Sequence, residues 1–272
     1  MKAIAIVAAC LAFCAPAAAC GPQALGTART LAIGPTAPLG LKSYPRTLAL
    51  DAKELVLTFD DGPLPATTAR ILDALKAECV QATFFLIGRN AQANAALVRR
   101  AAKEGHTLGH HTFSHPAVTL RGWTTDKAEA DIVHGMEADD TAAYGAWTGA
   151  PRTPFFRFPG FADTPRLNAA LAAQGVTVFG ADVWASDWED MSADAQRALL
   201  LARIEKARKG VVLMHDTRAQ TADMLPALLR DLKARGYRIV HVAPGAAPAP
   251  LAQASAGWRS ETEAILARPH PR

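Results

Sequence analysis

The chain has 272 residues, of which half are hydrophobic and 20% are charged, and its formal net charge is +4. This composition is typical of an ordered globular protein and excludes a largely disordered chain. The length suits one large α/β domain or two small ones. Acidic and basic residues are interspersed, so the small positive charge does not indicate a nucleic-acid partner.

Residues 1–19 have the pattern of an export signal. One lysine precedes an apolar stretch over residues 3–15, which is too short to span a bilayer and is followed by small residues. We therefore expect a protein that is periplasmic or secreted. Cleavage before Cys20 also resembles the processing of a bacterial lipoprotein, in which a lipid on Cys20 would be the only membrane anchor. Alternatively, Cys20 and Cys79 form a disulfide in an oxidising compartment.

Two segments that flank the centre of the chain are predicted to lack a packed fold. Residues 20–44 are rich in Gly, Pro, Ala and Thr and are predicted to be a linker. Residues 244–272 are predicted to be an Ala/Pro-rich tail. The domain is therefore expected to occupy residues 45–243.

Strand-like and helical patterns alternate through this domain. The strand-like runs cover residues 47–50, 55–61, 82–88, 106–111, 155–160, 176–183, 211–216 and 237–242. The helical patterns cover residues 66–78, 91–103, 124–143, 164–174, 192–209 and 219–235. Such alternation predicts a parallel sheet wrapped by helices in a single α/β domain. About seven major strands, without a glycine-rich phosphate loop after the first, favour a closed or partly closed barrel over a dinucleotide-binding fold.

The run LVLTFDDGP, residues 55–63, ends a buried strand on two neighbouring carboxylates, Asp60 and Asp61. Burying either one is costly unless another group compensates its charge. A simple Asp-Gly-Pro turn is the alternative. Other predicted strand ends also carry titratable groups, namely His111 with His115, Arg157, Asp182 with Asp187, and His215 with Asp216. In parallel barrels the chemistry lies at the carboxyl ends of the strands, so these groups are expected to meet.

The run HHTFSHP, residues 110–116, carries a candidate metal site. On a straight strand His111 and His115 would lie about 13 Å apart, too far for two imidazoles that share one zinc ion. Ser114 and Pro116 allow the chain to turn there, which would bring the two rings onto one face. An aspartate would complete a tetrahedral site with one position left for water.

The segments TFDDG, HTFSH, RFPG, DW and LMHD, in this order and at these separations, resemble the motifs of the polysaccharide deacetylases. This family is also called carbohydrate esterase family 4, or the NodB homology domain. The likeness covers roughly residues 45–243. It implies a distorted (β/α)7 barrel and the metal-dependent removal of N- or O-acetyl groups from sugars, commonly from N-acetylglucosamine polymers.

The resemblance also implies roles for residues of the first three motifs. Asp61, His111 and His115 match the ligands of Zn²⁺ or another divalent transition metal such as Co²⁺. Asp60 matches the catalytic base. Arg157 matches the residue that pairs with this base and keeps it ionised.

The remaining motif positions imply an oxyanion site, an acid and a substrate pocket. Gly160 occupies the position of the backbone N–H donor to the oxyanion, His215 that of the general acid, and Asp187 that of the carboxylate that favours its protonated form. The predicted pocket residues are Trp188, Leu213, Phe158 and Pro159. The family often has Pro-Pro-aromatic after the motif arginine, so Gly160 is expected to leave the rim more open.

Three functions fit the sequence. The first is a metal-dependent deacetylase of an acetylated envelope or extracellular polysaccharide, such as peptidoglycan or chitin-like oligomers, acting as a monomer. The second is a carbon-nitrogen hydrolase of a small non-sugar amide, which the export signal disfavours. The third is a catalytically silent glycan-binding module, which would need neither the base nor the acid. A serine hydrolase is disfavoured because no Gly-x-Ser-x-Gly motif is present.

Overall fold

The computed structural model describes residues 21, 23–117 and 119–267. The predicted signal peptide and Cys20 lie outside the described residues, so export, lipidation and a bridge to Cys20 stay predictions. Cys79 is disulfide-bonded. None of the helices in the described part of the chain is long and apolar enough to cross a membrane.

The described residues form eleven strands and eight α-helices. The strands are β1 (Thr27–Gly34), β2 (Arg46–Leu48), β3 (Glu54–Asp60), β4 (Thr83–Leu86), β5 (Thr107–His110), β6 (Phe155–Phe156), β7 (Thr177–Val178), β8 (Val183–Trp184), β9 (Gly210–His215), β10 (Arg238–Pro248) and β11 (Leu251–Gln253). The helices are α1 (Pro65–Ala77), α2 (Gly88–Ala93), α3 (Ala95–Lys103), α4 (Thr125–Tyr144), α5 (Pro165–Ala173), α6 (Ala193–Ala207), α7 (Ala219–Ala234) and α8 (Glu261–Leu266).

Seven parallel strands form a nearly closed barrel in the order β7-β6-β5-β4-β3-β9-β8. All seven residues of β3 are buried, as expected for a strand that is covered on both faces. Leu57 and Phe59 pack in the largest hydrophobic cluster, which also contains residues of α1, α6 and α7. Because side chains alternate along a strand, Thr58 and Asp60 face the barrel interior. The prediction of a single α/β domain with a distorted (β/α)7 barrel is confirmed.

The barrel is open between β7 and β8, and the segment before β2 fills this gap, here called the seam. Leu39 forms a parallel bridge with Phe179 at the end of β7. Asp182 lies in the seam and accepts hydrogen bonds from the Leu41 N–H at 2.8 Å and the Thr47 hydroxyl at 2.7 Å. Asp182 also accepts a hydrogen bond from the Val211 N–H of β9 at 2.7 Å, so it fastens the filling segment to the β8–β9 side of the seam, which accounts for this strand-end carboxylate without a catalytic role.

The predicted linker and tail contain regular structure. Strand β1 lies inside the predicted linker and pairs in parallel with β10. Its Ile33 is fully buried in a hydrophobic cluster. Strand β10 continues past residue 244, and the predicted tail also forms β11 and α8. The linker and tail predictions are therefore wrong for these segments, because packing against the sheet overrides a composition rich in Gly, Pro and Ala.

Two predicted strands also differ from the structure. The run 176–183 is divided into β7 and β8, because the chain leaves the sheet at the seam. The run 47–50 overlaps β2, which pairs antiparallel with β11 in a separate two-stranded sheet and does not join the barrel.

Candidate active site

Asp60 is the last residue of β3, and its carboxylate is buried inside the barrel. Its side chain is 3% exposed, and its Oδ1 accepts a hydrogen bond from Arg157 Nη1 at 2.6 Å. Burial raises the pKa of Asp60, and the positive charge of Arg157 opposes this rise. Gly62 follows the pair because a Cβ there would lie 1.9 Å from Asp216 Oδ2. The Asp-Asp-Gly order thus fits the close approach of the ends of β3 and β9.

Arg157 is fully buried, and each of the three nitrogens of its guanidinium donates a hydrogen bond. Nη1 donates to Thr58 Oγ1 at 2.8 Å as well as to Asp60. Nη2 donates to the carbonyl oxygen of Gly180 at 2.9 Å, and Nε donates to that of Phe179 at 3.2 Å. These contacts offset the cost of burying the charge and fix the guanidinium in one orientation. The structure brings the predicted Arg157–Asp60 pair together.

Asp61, His111 and His115 form a candidate metal site. Asp61 Oδ1 lies 3.5 Å from His111 Nε2 and 3.4 Å from His115 Nε2, and the three ligand atoms all lie within 4.8 Å of one another. This oxygen is buried and accepts no hydrogen bond in the described structure. Two imidazole nitrogens and one carboxylate oxygen that converge in this way suit a divalent transition metal with an open position.

A hydrogen bond at Nδ1 of His111 leaves Nε2 as the nitrogen available to a metal. His111 Nδ1 lies 2.7 Å from the carbonyl oxygen of Arg157, so Nδ1 carries the proton and Nε2 presents its lone pair to Asp61. Burial and the neighbouring His115 lower the pKa of His111 to about 3. The ring is therefore held in the neutral form that binds metal.

A tight turn over residues 112–115 brings the two histidines together, as the sequence predicts. Thr112 and His115 both have positive φ, at 66° and 44°. The His115 N–H donates to Thr112 Oγ1 at 3.0 Å, which closes the turn. His111 and His115 thereby place their ring centroids 5.1 Å apart.

One face of α4 supports this turn. Asp131 accepts hydrogen bonds from the N–H of Phe113 at its carbonyl oxygen (3.0 Å) and from the N–H of Ser114 at Oδ2 (3.2 Å). One helical turn further on, Gly135 is so close that a Cβ would lie 2.5 Å from the carbonyl carbon of Thr112. Asp131 and Gly135 lie outside the sequence motifs that predict the site. A glycine inside a 20-residue helix costs about 1 kcal/mol relative to alanine, which is the signal that could have identified this close approach.

On the opposite side of Asp60, His215 ends β9 and pairs with Asp187. His215 Nδ1 lies 2.7 Å from Asp187 Oδ1, and its backbone N–H donates to Asp187 Oδ2 at 2.6 Å. Thr221 also donates to this oxygen, at 2.7 Å. Burial lowers the pKa of His215, but the hydrogen bond and charge of Asp187 outweigh burial and raise it to about 9. The structure thus joins the predicted pair and adds Thr221, which the sequence analysis missed.

Two of the predicted pocket residues, Trp188 and Leu213, and the predicted oxyanion donor, Gly160, lie at the following places. Trp188 is 42% exposed, and its ring is edge-on to His215 with the centroids 5.9 Å apart. Leu213 is buried on β9, two residues before His215. Gly160 has φ 59°, and a Cβ there would meet only Thr119 Cγ2, at 4.0 Å. The space above Gly160 is therefore open.

Phe158 and Pro159, predicted to line the pocket, are both buried. Phe158 is 2% exposed and packs in a hydrophobic cluster with residues of α4 and α5. Its ring meets that of Phe156 edge-on at 4.8 Å. The pocket prediction for Phe158 is therefore wrong in this structure, because the chain turns after Arg157 and directs this ring into the core.

Metal-assisted hydrolysis is the chemistry that this arrangement suits, so fold and site together define a hydrolase. Residues 48–179 match the family model described as polysaccharide deacetylase. The chain is 34% identical to a peptidoglycan-N-acetylglucosamine deacetylase of Bacillus cereus, over 70% of this chain and 86% of that one. It is 31% identical to a chitooligosaccharide deacetylase of Sinorhizobium fredii, over 73% and 94% of the two chains. A solved peptidoglycan deacetylase of Bdellovibrio bacteriovorus is similar with a TM-score of 0.66 and 30% identity, over 79% of this chain and 60% of that one. The chain belongs to the polysaccharide deacetylase family, carbohydrate esterase family 4.

Proposed function

We propose that this protein removes acetyl groups from the N-acetylglucosamine units of a cell-envelope or extracellular polysaccharide, using a metal-activated water. The observation that carries the proposal is the placement of the buried Asp60 carboxylate and of the His215 imidazole, paired with Asp187, beside the candidate metal site. Asp60 and His215 are direct neighbours across β3 and β9. A base and an acid so placed can serve one acyl-transfer reaction, the base by taking a proton from the attacking water and the acid by giving one to the leaving group. The names of the relatives support an N-acetylglucosamine substrate.

Asp61, His111 and His115 would hold Zn²⁺ or another divalent transition metal such as Co²⁺. When bound, such an ion supplies Lewis acidity and makes a nearby water far more acidic than bulk water. The unpaired Oδ1 of Asp61 and the lone pair on His111 Nε2 are the features of this chain that fit the ion.

Asp60 is the proposed base that accepts the proton of the attacking water. Arg157 occupies Asp60 Oδ1, which leaves Oδ2 on the side of the histidines, 3.9 Å from His111 Nε2. The fixed guanidinium therefore orients the carboxylate toward the reacting water. The N–H of Gly160 is the proposed donor to the oxyanion that develops on the acetyl oxygen.

His215 is the proposed acid. An amide nitrogen leaves poorly as an anion, so it must receive a proton as the carbon-nitrogen bond breaks. Asp187 holds Nδ1 and stabilises the charged ring, so Nε2 is the nitrogen that delivers the proton. Trp188 and Leu213 are the proposed contacts of the acetyl methyl group.

The proposal is tested by measuring acetate release from N-acetylglucosamine oligomers and murein fragments, with small amides assayed in parallel. Chelation should abolish acetate release, and Zn²⁺ or Co²⁺ should restore it. Release that is indifferent to chelation, or turnover of small amides alone, would contradict the proposal. Glycan binding without turnover in the metal-loaded protein would indicate a silent binding module.

The role of Asp60 is tested by Asp60→Asn. We expect this variant to retain metal and lose about a hundred- to ten-thousandfold in turnover, because Asn cannot accept the proton. Asp51→Asn, at an exposed position, is the matched control and should have normal activity. Measuring metal content together with kinetics separates a loss of metal binding from a loss of the catalytic base. A near-normal rate for Asp60→Asn would remove this residue from the base role.

A further inference from the structure

Three aromatic side chains form a row along the rim beside the seam. The row consists of Phe161, Trp184 and Trp188 and is called here the aromatic row. The ring centroids of Phe161 and Trp184 are 6.0 Å apart, and those of Trp184 and Trp188 are 6.1 Å apart. Trp188 is exposed, and the other two residues are partly exposed. The proposed reaction uses only Trp188, so Phe161 and Trp184 have no role in it.

Both ends of the aromatic row contact groups that flank Asp60. At one end, Trp188 meets His215 edge-on, with a centroid distance of 5.9 Å. At the other end, the guanidinium carbon of Arg157 lies 6.0 Å from the centre of the Phe161 ring. The row therefore forms a wall along one side of the groups that flank Asp60. A sugar unit attached to the acetylated one can extend from the centre along this wall.

Local strain and an unpartnered polar atom accompany the two unassigned rings. Phe161 has φ 55°, a left-handed conformation that a bulky side chain rarely adopts and that is retained mainly at functional sites. The indole N–H of Trp184 is buried and has no hydrogen-bond partner among the described residues. Since buried polar groups are normally paired, the position of this ring is kept at a cost to stability.

Two cations next to Trp184 are already engaged within the protein. Arg203 Nη1 donates to the carbonyl oxygen of Trp184 and to Ser186 Oγ, both at 2.7 Å. Lys42 Nζ lies 5.0 Å from the centroid of a Trp184 ring and 2.5 Å from Glu261 Oε2. Lys42 therefore lies over the Trp184 ring and is held there by Glu261 of α8. The rest of the row offers aromatic surface, which suits the C–H faces of a sugar ring.

We propose that the aromatic row is a subsite for the pyranose ring adjacent to the sugar that is deacetylated. In this subsite Phe161 and Trp184 provide the stacking surface and give the enzyme its preference for oligomers over the monosaccharide. This inference rests on the proposed function for the identity of the substrate. The binding of glycan to the row can nevertheless be measured without turnover.

The test is calorimetric titration of the Asp60→Asn protein with N-acetylglucosamine and its oligomers up to the pentamer. Affinity should rise with length in this background. Adding Trp184→Leu or Phe161→Leu should weaken binding of the longer oligomers by about three- to tenfold, with a smaller effect on the monosaccharide. Trp184→Phe should recover part of the loss. Trp147→Leu, which alters a partly buried tryptophan in another cluster, is the matched control and should bind like the parent.

Kinetics with the active enzyme separate this inference from the proposed function. Trp184→Leu should raise KM for oligomers more than it lowers kcat. Equal binding losses at every length, or an unchanged length dependence in both leucine variants, would overturn the subsite. Length-dependent binding that needs Trp184, together with no acetate release by the wild type, would overturn the proposed function and leave the subsite standing.

Discussion

His111 and His215 both lie at the carboxyl ends of barrel strands and both use Nδ1 in a short hydrogen bond. Their surroundings nevertheless move their pKa values in opposite directions, to about 3 for His111 and to about 9 for His215. Burial lowers the pKa of both rings, so burial does not distinguish them. The rings differ in their neighbours. His111 lies beside His115, which lowers its pKa further, and its Nδ1 bonds the neutral carbonyl of Arg157, whereas Nδ1 of His215 bonds the carboxylate of Asp187.

The comparison shows how one residue type can serve two purposes in a single site. A carbonyl partner fixes the tautomer and raises the pKa too little to offset burial and the nearby His115, so the other nitrogen of His111 keeps a lone pair for a metal. A carboxylate partner stabilises the doubly protonated ring, so the other nitrogen keeps a proton to donate. In this site the acceptor at Nδ1 therefore helps to suit His111 to bind a metal and His215 to donate a proton.

The largest effect is expected from removing the ligand histidine. His111→Ala deletes one of three ligands and should lose both metal and activity, down to the level of the chelated wild type. We will check this expectation by measuring metal content, by mass spectrometry, and acetate release on the same preparation. Circular dichroism is the control for folding. A variant that still binds one equivalent of metal tightly would contradict the assignment of His111 as a ligand.

The next effect concerns the acid. Asp187→Asn removes the charge that stabilises protonated His215, so the pKa of His215 should fall and the rate should decline at a lower pH than in the wild type. At neutral pH we expect a loss of about a hundredfold or more on an amide substrate. A nitrophenyl acetate, whose leaving group needs no proton, should be much less affected. Equal losses on the amide and the ester would argue against a role in protonation.

The same pKa shift predicts a pH-dependent stability of the metal-free protein. The pKa of His215 is about 9 when folded and about 6.5 when unfolded, so folding favours the protonated ring. This contribution is fully present below about pH 6.5 and is lost as the pH rises through about 9, an effect of about 3 kcal/mol. Urea unfolding near both limits will measure it. The decline should be largely absent in Asp187→Asn, and equal declines in both proteins would contradict the coupling.

The convergence of the catalytic groups could be predicted from sequence because the carboxyl ends of all strands in a parallel barrel lie at the same end of the barrel. Once the strands were assigned, the ends carrying Asp60, Arg157 and His215 had to lie at one end of the barrel. The turn between His111 and His115 followed from the distance that a shared ion permits. These predictions required strand direction and approximate length, which local patterns provide.

Docking between distant segments could not be predicted in the same way. The segment around Leu39 has a loop-like composition, yet it fills the seam because β7 and β8 leave a gap that only the folded barrel creates. The position of Phe158 directly after Arg157 predicts a pocket residue, but the backbone turns its ring into the core. The helix 124–143 was predicted, whereas the face of α4 that meets the metal-binding turn depends on how the helix packs.

The smallest effect is expected from weakening the contact between α4 and the metal-binding turn. It concerns the metal-ligand side of the site and should leave the acid, His215, unchanged. Asp131→Ala removes the acceptor of the Ser114 N–H and should loosen the turn that carries His115, which weakens metal affinity by about tenfold. Asp131→Asn keeps an acceptor oxygen at the same place and is the matched control, with an affinity near that of the wild type. Competition with a chelating dye measures both variants, and the pKa of His215 from NMR should be unchanged in the metal-free forms. If alanine and asparagine weaken metal binding equally, the charge of Asp131, and not its hydrogen bond to the turn, is what supports the site.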